Sequence, residues 1–87
     1  MNQLILVNDD TAWSPLHQHV QFTAQYSGAI IKCALTLEYL RNKGFSGELQ
    51  SEAIDAFCSM ISFDIEEDTQ QAIVDEQFED NGCLLLR

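Results

Sequence analysis

The stretch HVQFTAQYSGAIIKCAL, residues 19–35, decides the fold. Its first half alternates apolar and polar residues, which is the period of a strand with one buried face. Ser27 and Gly28 interrupt the alternation, and such a pair can form a two-residue turn. The sequence therefore predicts a β-hairpin whose strands lie near 18–26 and 29–35.

One register pairs apolar residues with apolar residues along the whole hairpin. The opposed pairs are Tyr26 with Ala29, Ala24 with Ile31, Phe22 with Cys33, and Val20 with Leu35. The other face then carries polar side chains that suit water: Gln21, Thr23, Gln25 and Lys32. Because a slip by one residue would reverse both faces, the register is strongly specified.

A short helix is predicted directly after the hairpin, over about 37–43. Thr36 is typical of an N-cap, and Gly44 fits the left-handed position that ends many helices. Phe45 would then contact Leu40, as in a Schellman motif. These signals define both ends of the helix.

Two more helices are predicted in the second half of the chain. Apolar residues recur at helical spacing and predict a core-facing helix over about 49–61. The residues of this stripe are Leu49, Ala53, Ile54, Ala56, Phe57, Cys58, Met60 and Ile61. Asp64, with Glu67 three residues later, is typical of an N-cap with a capping acid. It predicts a helix over about 65–79 that ends before Gly82.

Strands are predicted at both ends of the chain, LILV near 3–7 and CLLLR at 83–87. The segment between the first strand and the hairpin is turn-like because it contains the breaker Ser14-Pro15. We therefore expect a single domain over residues 1–87 with an α+β fold. In this fold a small antiparallel or mixed sheet carries two to three helices on one face.

The charge of the chain is strongly negative and unevenly distributed. Three of its 14 acids lie in residues 1–43 with three of its four bases, and the other eleven acids lie in residues 44–86, which contain no base. The net charge of −10 disfavours binding to nucleic-acid phosphates or to an anionic membrane surface. It allows a basic protein partner or a cation. No segment suits a signal peptide or a membrane span, so we expect a cytoplasmic protein.

The cysteines indicate neither a disulfide framework nor a zinc site. Cys33, Cys58 and Cys83 are an odd number without a C-x-x-C pair, and we interpret them as small buried side chains. The sequence contains no known catalytic or phosphate-binding motif, so it predicts neither an enzyme nor a cofactor.

Eight acids and no base lie in FDIEEDTQQAIVDEQFED, residues 63–80. The first four lie at the predicted start of the last helix, where the helix dipole favours negative charge. The last four are Asp75, Glu76, Glu79 and Asp80. They lie toward the unfavourable end of the dipole and form like-charge pairs four residues apart. Either a distant base relieves them, or they point into water, or a partner binds them, so we treat them as candidate partner contacts.

Three residues near the start of the hairpin are further candidates. Trp13, the one tryptophan, either covers the core from outside or anchors a partner. His17 and His19 lie two apart at the start of a strand and could ligate a metal ion, but the sequence names no further ligand. Histidines at such a position are more often simply solvated.

Two parts of the sequence resemble a known family. VQFTAQYSGAIIKCALTLEYL, followed by FDIEEDTQQAIVDEQFEDNGCLLL, is similar to domain-of-unknown-function family 1488, short single-domain proteins mostly from gammaproteobacteria. The resemblance covers nearly the whole chain and implies an α+β fold and a cytoplasmic bacterial protein. It implies no activity, so it assigns no site residue.

We therefore expect a small acidic, non-catalytic protein that acts by protein–protein interaction. Its partner would be a basic protein bound by the late acids, or a second copy of the chain paired at a sheet edge. The alternative is a protein that binds a divalent cation or a small ligand with the late acids or with His17 and His19.

Overall fold

The computed structural model describes residues 5–87, which form five strands and three helices. In chain order these are β1 (Ile5–Val7), β2 (Ala12–Ser14), β3 (His19–Tyr26), β4 (Ala29–Thr36), α1 (Leu37–Asn42), α2 (Ser51–Met60), α3 (Ser62–Val74) and β5 (Leu84–Leu86). The predicted α+β fold with one small sheet is confirmed, while residues 3 and 4 of the first predicted strand lie outside the described residues. Of the helices within 5–87, none combines the length and the apolar composition that a membrane crossing needs.

The β3–β4 hairpin has the predicted register over its whole length. The observed pairs include Tyr26 with Ala29, Ala24 with Ile31, Phe22 with Cys33, and Val20 with Leu35. Both turn residues are left-handed, with φ of 52° at Ser27 and 82° at Gly28. This is the conformation of a type I′ turn, whose twist matches that of the two strands it joins.

Two short strands, β1 and β2, share the free side of β3. β1 pairs with the end of β3 near the hairpin turn and β2 with its start, so neither strand pairs with Thr23. Asp10 fills this gap: its Oδ1 accepts a hydrogen bond from the Thr23 N–H at 3.0 Å, and its Oδ2 accepts one from the Thr23 hydroxyl at 2.6 Å. The carboxylate thus satisfies a main-chain donor that the sheet would otherwise leave unpaired.

The turn-like interpretation of the segment before the hairpin is wrong for Ala12–Ser14, which form β2. Trp13 favours a strand, but its neighbours Ala12, Ser14 and Pro15 do not. The three residues of β2 are extended because pairing with β3 satisfies their backbone groups, and this depends on tertiary context.

β5 lies on the other side of β4 and runs parallel to it, so the sheet is mixed. Leu84 pairs with Cys33, and Leu86 pairs with Leu35. The Thr36 hydroxyl donates to the Leu86 carbonyl oxygen at 3.0 Å. Parallel strands need a long crossover, and the three helices supply it between β4 and β5.

The core lies between the helices and one face of the sheet. The sheet contributes Val20, Phe22, Ala24, Cys33, Leu35 and Leu84, and the helices contribute Tyr39, Leu40, Ile54, Cys58, Ile65 and Ile73. The opposite face of the sheet, called the open face below, exposes Leu6, Gln21, Gln25 and Ile30. Cys33 and Cys58 are buried as predicted, whereas Cys83 is half-buried.

Both predicted ends of α1 are confirmed. The Thr36 hydroxyl accepts a hydrogen bond from the Tyr39 N–H at 3.1 Å. At the other end Gly44 has a φ of 112°, and the Phe45 N–H donates to the Leu40 carbonyl oxygen at 3.0 Å. This is a Schellman motif, and Phe45 is buried in the core.

The start predicted for the last helix is wrong. Ile61 alone separates α2 from α3, and α3 begins at Ser62. The Ile61 carbonyl oxygen already accepts a hydrogen bond from the Ile65 N–H at 3.0 Å. Asp64 therefore lies in the first turn of α3 rather than at its N-cap, because the end of α2 sets where α3 begins.

Thr69 on α3 is fully buried, and within residues 5–87 its hydroxyl has no hydrogen-bond partner. Thr69→Val keeps the side-chain shape and removes the unpaired group, so we expect it to raise the free energy of unfolding by about 1 kcal/mol. Thr69→Ser keeps the hydroxyl and removes a methyl group, so it should lower that free energy by about 1 kcal/mol. Urea denaturation measures both changes, and a valine variant less stable than the original would contradict this reading.

Candidate partner-binding surface

The late acids lie beyond the last helix and not within it. α3 ends at Val74, and Glu76 is left-handed with a φ of 56°. The Glu76 N–H donates to the Ile73 carbonyl oxygen at 3.0 Å. The Gln77 N–H donates to the Ala72 carbonyl oxygen, also at 3.0 Å. This is a Schellman motif with glutamate where glycine is usual. The predicted extension of the helix to residue 79 is therefore wrong, and the late acids do not form like-charge pairs one turn apart on a helix.

The acidic segment, residues 75–80, leads into a tight turn before β5. The Glu79 N–H donates to the Cys83 carbonyl oxygen at 2.7 Å, and the Gly82 N–H donates to the Glu79 carbonyl oxygen at 2.9 Å. Phe78 forms an isolated bridge with Leu84. Gly82, predicted to end a helix, instead occupies this turn with a φ of 86°. Backbone hydrogen bonds thus hold the acidic segment in place.

Within residues 5–87, two of the four late acids contact a polar side chain and the other two form no ion pair. Asp75 accepts hydrogen bonds from a side-chain amide one turn earlier in α3, at 3.1 and 3.2 Å. Glu79 lies 3.7 Å from the Arg87 guanidinium. In the described part of the chain, Glu76 and Asp80 have no ion pair. All four side chains are exposed, as a partner contact requires.

Two of the first four acids of the run, Asp64 and Asp68, hold α3 against α1. Lys43 Nζ lies 3.0 Å from Asp68 Oδ2 and 3.8 Å from Asp64 Oδ2, and the Tyr39 hydroxyl donates to Asp68 Oδ2 at 2.6 Å. Burial alone would raise the pKa of Asp68, but the hydrogen bonds from Tyr39 and Lys43 outweigh it and lower that pKa. Burial, and then the Asp68 carboxylate, raise the pKa of Tyr39, so its hydroxyl remains a donor. Asp64 and Asp68 therefore have a structural role.

The four bases of the chain leave most acids on the helical side without a partner. Lys43 and Arg87 form the pairs described above, while Lys32 lies on β4 and Arg41 on α1. Within residues 5–87, the acids of α2, α3 and the acidic segment that form no ion pair are Glu52, Asp55, Glu66, Glu67, Asp75, Glu76 and Asp80. We call this group the acidic side. None of these seven acids lies within ion-pair distance of a base in the described structure, although the charge of Glu67 also acts on Lys43.

Two grooves flank the acidic segment, and each contains charges of both signs. One of about 540 Å³ lies between α1 and α3, and its charged residues are Lys43, Asp68, Asp75 and Arg87. The other, of about 620 Å³, lies on the open face, and its charged residues are Asp10, Lys32 and Glu79. Because opposite charges within each groove largely neutralise one another, neither groove selects a small ion of one sign.

The chain was compared with known proteins. Residues 5–86 match the family described as protein of unknown function (DUF1488). The chain belongs to the DUF1488 family. It is 28% identical in sequence to a DUF1488-family protein of unknown function from Shewanella loihica PV-4, whose crystal structure superposes with a TM-score of 0.89 over 99% of this chain and 94% of that chain. No curated protein matched. The resemblance seen in the sequence is confirmed, and neither the family nor the Shewanella protein has an assigned activity.

The DUF1488 fold places the remaining candidates on the β2–β3 hairpin, and the structure does not bring them to the acidic side. Trp13 is half-buried and packs against the core, which fits the interpretation that it covers the core from outside. The rings of His17 and His19 stack with centroids 5.2 Å apart, and His17 Nδ1 lies 3.1 Å from the Ser14 hydroxyl oxygen. Burial, and then the neighbouring His17, lower the pKa of His19. Among the described residues, no three His, Cys, Asp or Glu side chains come together as a metal site requires.

The exposure of two apolar residues at the junction of α2 and α3 is not predicted from the sequence. Met60 belongs to the predicted core stripe of α2 but is 79% exposed, because that helix buries Ile54 and Cys58 instead. Phe63, in the first turn of α3, is 83% exposed. A narrower apolar stripe through Ile54, Cys58 and Ile61 would have predicted the buried face correctly, because Met60 lies to one side of it.

Glu76 has an unfavourable backbone conformation for a residue with a side chain. We expect Glu76→Gly to raise the free energy of unfolding by about 0.5–1 kcal/mol, because glycine adopts positive φ without steric cost. Glu76→Ala is the matched control, since it removes the same charge but keeps the steric cost. Thermal and urea unfolding should rank glycine clearly above alanine. Equal stabilities of the two variants would show that the backbone is not strained at this position.

Proposed function

We propose that this DUF1488 chain is a non-catalytic protein-binding module that recognises a basic segment of another protein through its acidic side. The observation that carries the proposal is the set of acids on α2, α3 and the acidic segment that form no ion pair within residues 5–87. Complementary charge steers a partner to such a surface and selects against partners of the same sign.

The net charge narrows the class of partner. At −10, the chain repels nucleic-acid phosphates and anionic lipid surfaces. A second copy of the chain carries the same charge, so self-association through the acidic side is also opposed. A basic polypeptide is the partner that this charge favours.

Two supports of the acidic side, α3 and the acidic segment, are held by hydrogen bonds in the folded chain. α3 is fixed to α1 by the contacts of Asp68 with Tyr39 and Lys43. The acidic segment is fixed by its own backbone hydrogen bonds. Acids on rigid supports lose little conformational freedom when a partner binds, which favours affinity.

The thiols support a non-catalytic role in the cytoplasm. Burial raises the pKa of Cys33 to about 12 and that of Cys58 to about 11, which makes both thiols weak nucleophiles at neutral pH. All three cysteines are unpaired, as is usual in a reducing compartment.

The proposal is tested with a fluorescent peptide of about 16 residues composed of lysine and glutamine, titrated at low and high salt. We expect the triple variant Glu67→Gln, Glu76→Gln, Asp80→Asn to weaken binding by about tenfold at low salt, because it removes unpaired acids from the acidic side. Fluorescence anisotropy gives the dissociation constants, and a thermal melt confirms that each variant is folded.

The matched control is the triple variant Leu16→Lys, Gln21→Lys, Gln25→Lys. It makes the same change in net charge, from −10 to −7, at exposed positions outside the acidic side. We expect it to weaken binding by less than about threefold. If both triple variants weakened binding equally, only total charge would matter and the proposal would be wrong. The proposal would also be refuted if the unmodified chain did not bind the peptide.

A further inference from the structure

The corner patch, defined as Met60 and Phe63, combines two large apolar side chains that are almost fully exposed. They are 79% and 83% exposed and lie three residues apart, at the corner where α2 meets α3. A single exposed apolar residue is ordinary on a protein surface. Two large exposed apolar residues three positions apart in sequence offer apolar area that a binding partner could cover.

The corner patch has no role in the core. α2 buries Ile54 and Cys58, and α3 buries Ile65 and Ile73, so both helices have their apolar stripes on other sides. Ile61, between the two exposed residues, packs against the core and fixes the corner. The patch is therefore apolar surface held in a defined place without contributing to the fold.

The surroundings of the corner patch are acidic. Glu67 lies one helical turn after Phe63, and Glu66 lies three residues after it. In residues 5–87 neither of these two acids forms an ion pair. An apolar centre with an acidic surround is complementary to a segment with an apolar stripe and basic flanks.

We propose that the corner patch anchors an amphipathic helix of the partner, with its apolar stripe on Met60 and Phe63 and its basic residues toward the surrounding acids. This proposal rests on the proposed function and specifies the partner that the acidic side recognises. Phenylalanine supplies a large contact area, and methionine adapts its shape to different apolar side chains. The apolar stripe of an amphipathic helix recurs at i, i+3, i+4 and i+7, so two exposed apolar side chains can pack against successive positions of that stripe.

A second copy of this chain and an anionic membrane are poorer occupants. A second copy would bring its own Glu66 and Glu67 toward the same acids. An anionic membrane would also place negative charge against them, so both arrangements carry like-charge repulsion at the rim.

The test uses two fluorescent peptides of about 16 residues with the same composition of leucine, lysine and glutamine. In the first, leucine recurs at helical spacing and forms one stripe; in the second, the order is scrambled. We expect the unmodified chain to bind the striped peptide about tenfold more tightly than the scrambled one. Met60→Ser with Phe63→Ser should remove that preference, and Leu16→Ser, at a residue that is 86% exposed on another turn, should keep it.

The outcomes separate this inference from the proposed function. Suppose that the chain binds both peptides equally while the triple variant Glu67→Gln, Glu76→Gln, Asp80→Asn binds both more weakly. In that case the corner patch is not an anchor but the proposed function stands. If the chain binds neither peptide, both proposals are wrong. If sedimentation equilibrium shows a dimer that the double serine variant dissociates, or if the chain binds phosphatidylglycerol vesicles through the patch, another occupant covers it and this inference is overturned.

Discussion

The turn at Ser27 and Gly28 holds β3 and β4 in one register, and the rest of this DUF1488 fold depends on that register. Because side chains alternate along a strand, the register decides which apolar residues share a face and receive the helices. α1 begins at the residue after β4, so the same strand positions the first helix. β5 then pairs with β4, and the crossover between them carries α2 and α3 onto the apolar face.

Features with a local physical cause could be predicted from the sequence. The hairpin register follows from apolar alternation around a two-residue turn, and the ends of α1 follow from Thr36 and Gly44. Features that depend on tertiary strand pairing, or on a backbone conformation that the residue type disfavours, could not be predicted. β2 exists because β3 offers it a partner, and α3 ends at a left-handed Glu76, a conformation that the residue type disfavours.

The candidate site could be predicted only in part. Its late acids are exposed as expected, yet they lie on a turn and not on a helix. The ion pairs of Lys43 with Asp64 and Asp68 depend on how α1 packs against α3. The spacing of residues in the sequence does not reveal this packing. These ion pairs separate the acids that stabilise the fold from those that form no ion pair in the described structure. The fold thus divides the molecule into a hairpin that specifies the core and a helical side that carries the unpaired charge.

Native-state hydrogen exchange tests most directly whether the β3–β4 hairpin is the central constraint of the fold. If it is, the amides of β3 and β4 that pair with each other should exchange only by global unfolding, with an opening free energy equal to that from urea denaturation. The amides of β1, β2 and residues 75–83 should exchange through smaller, local openings. The account would be contradicted if amides of α2 or α3 remained protected under conditions in which those of the hairpin exchange.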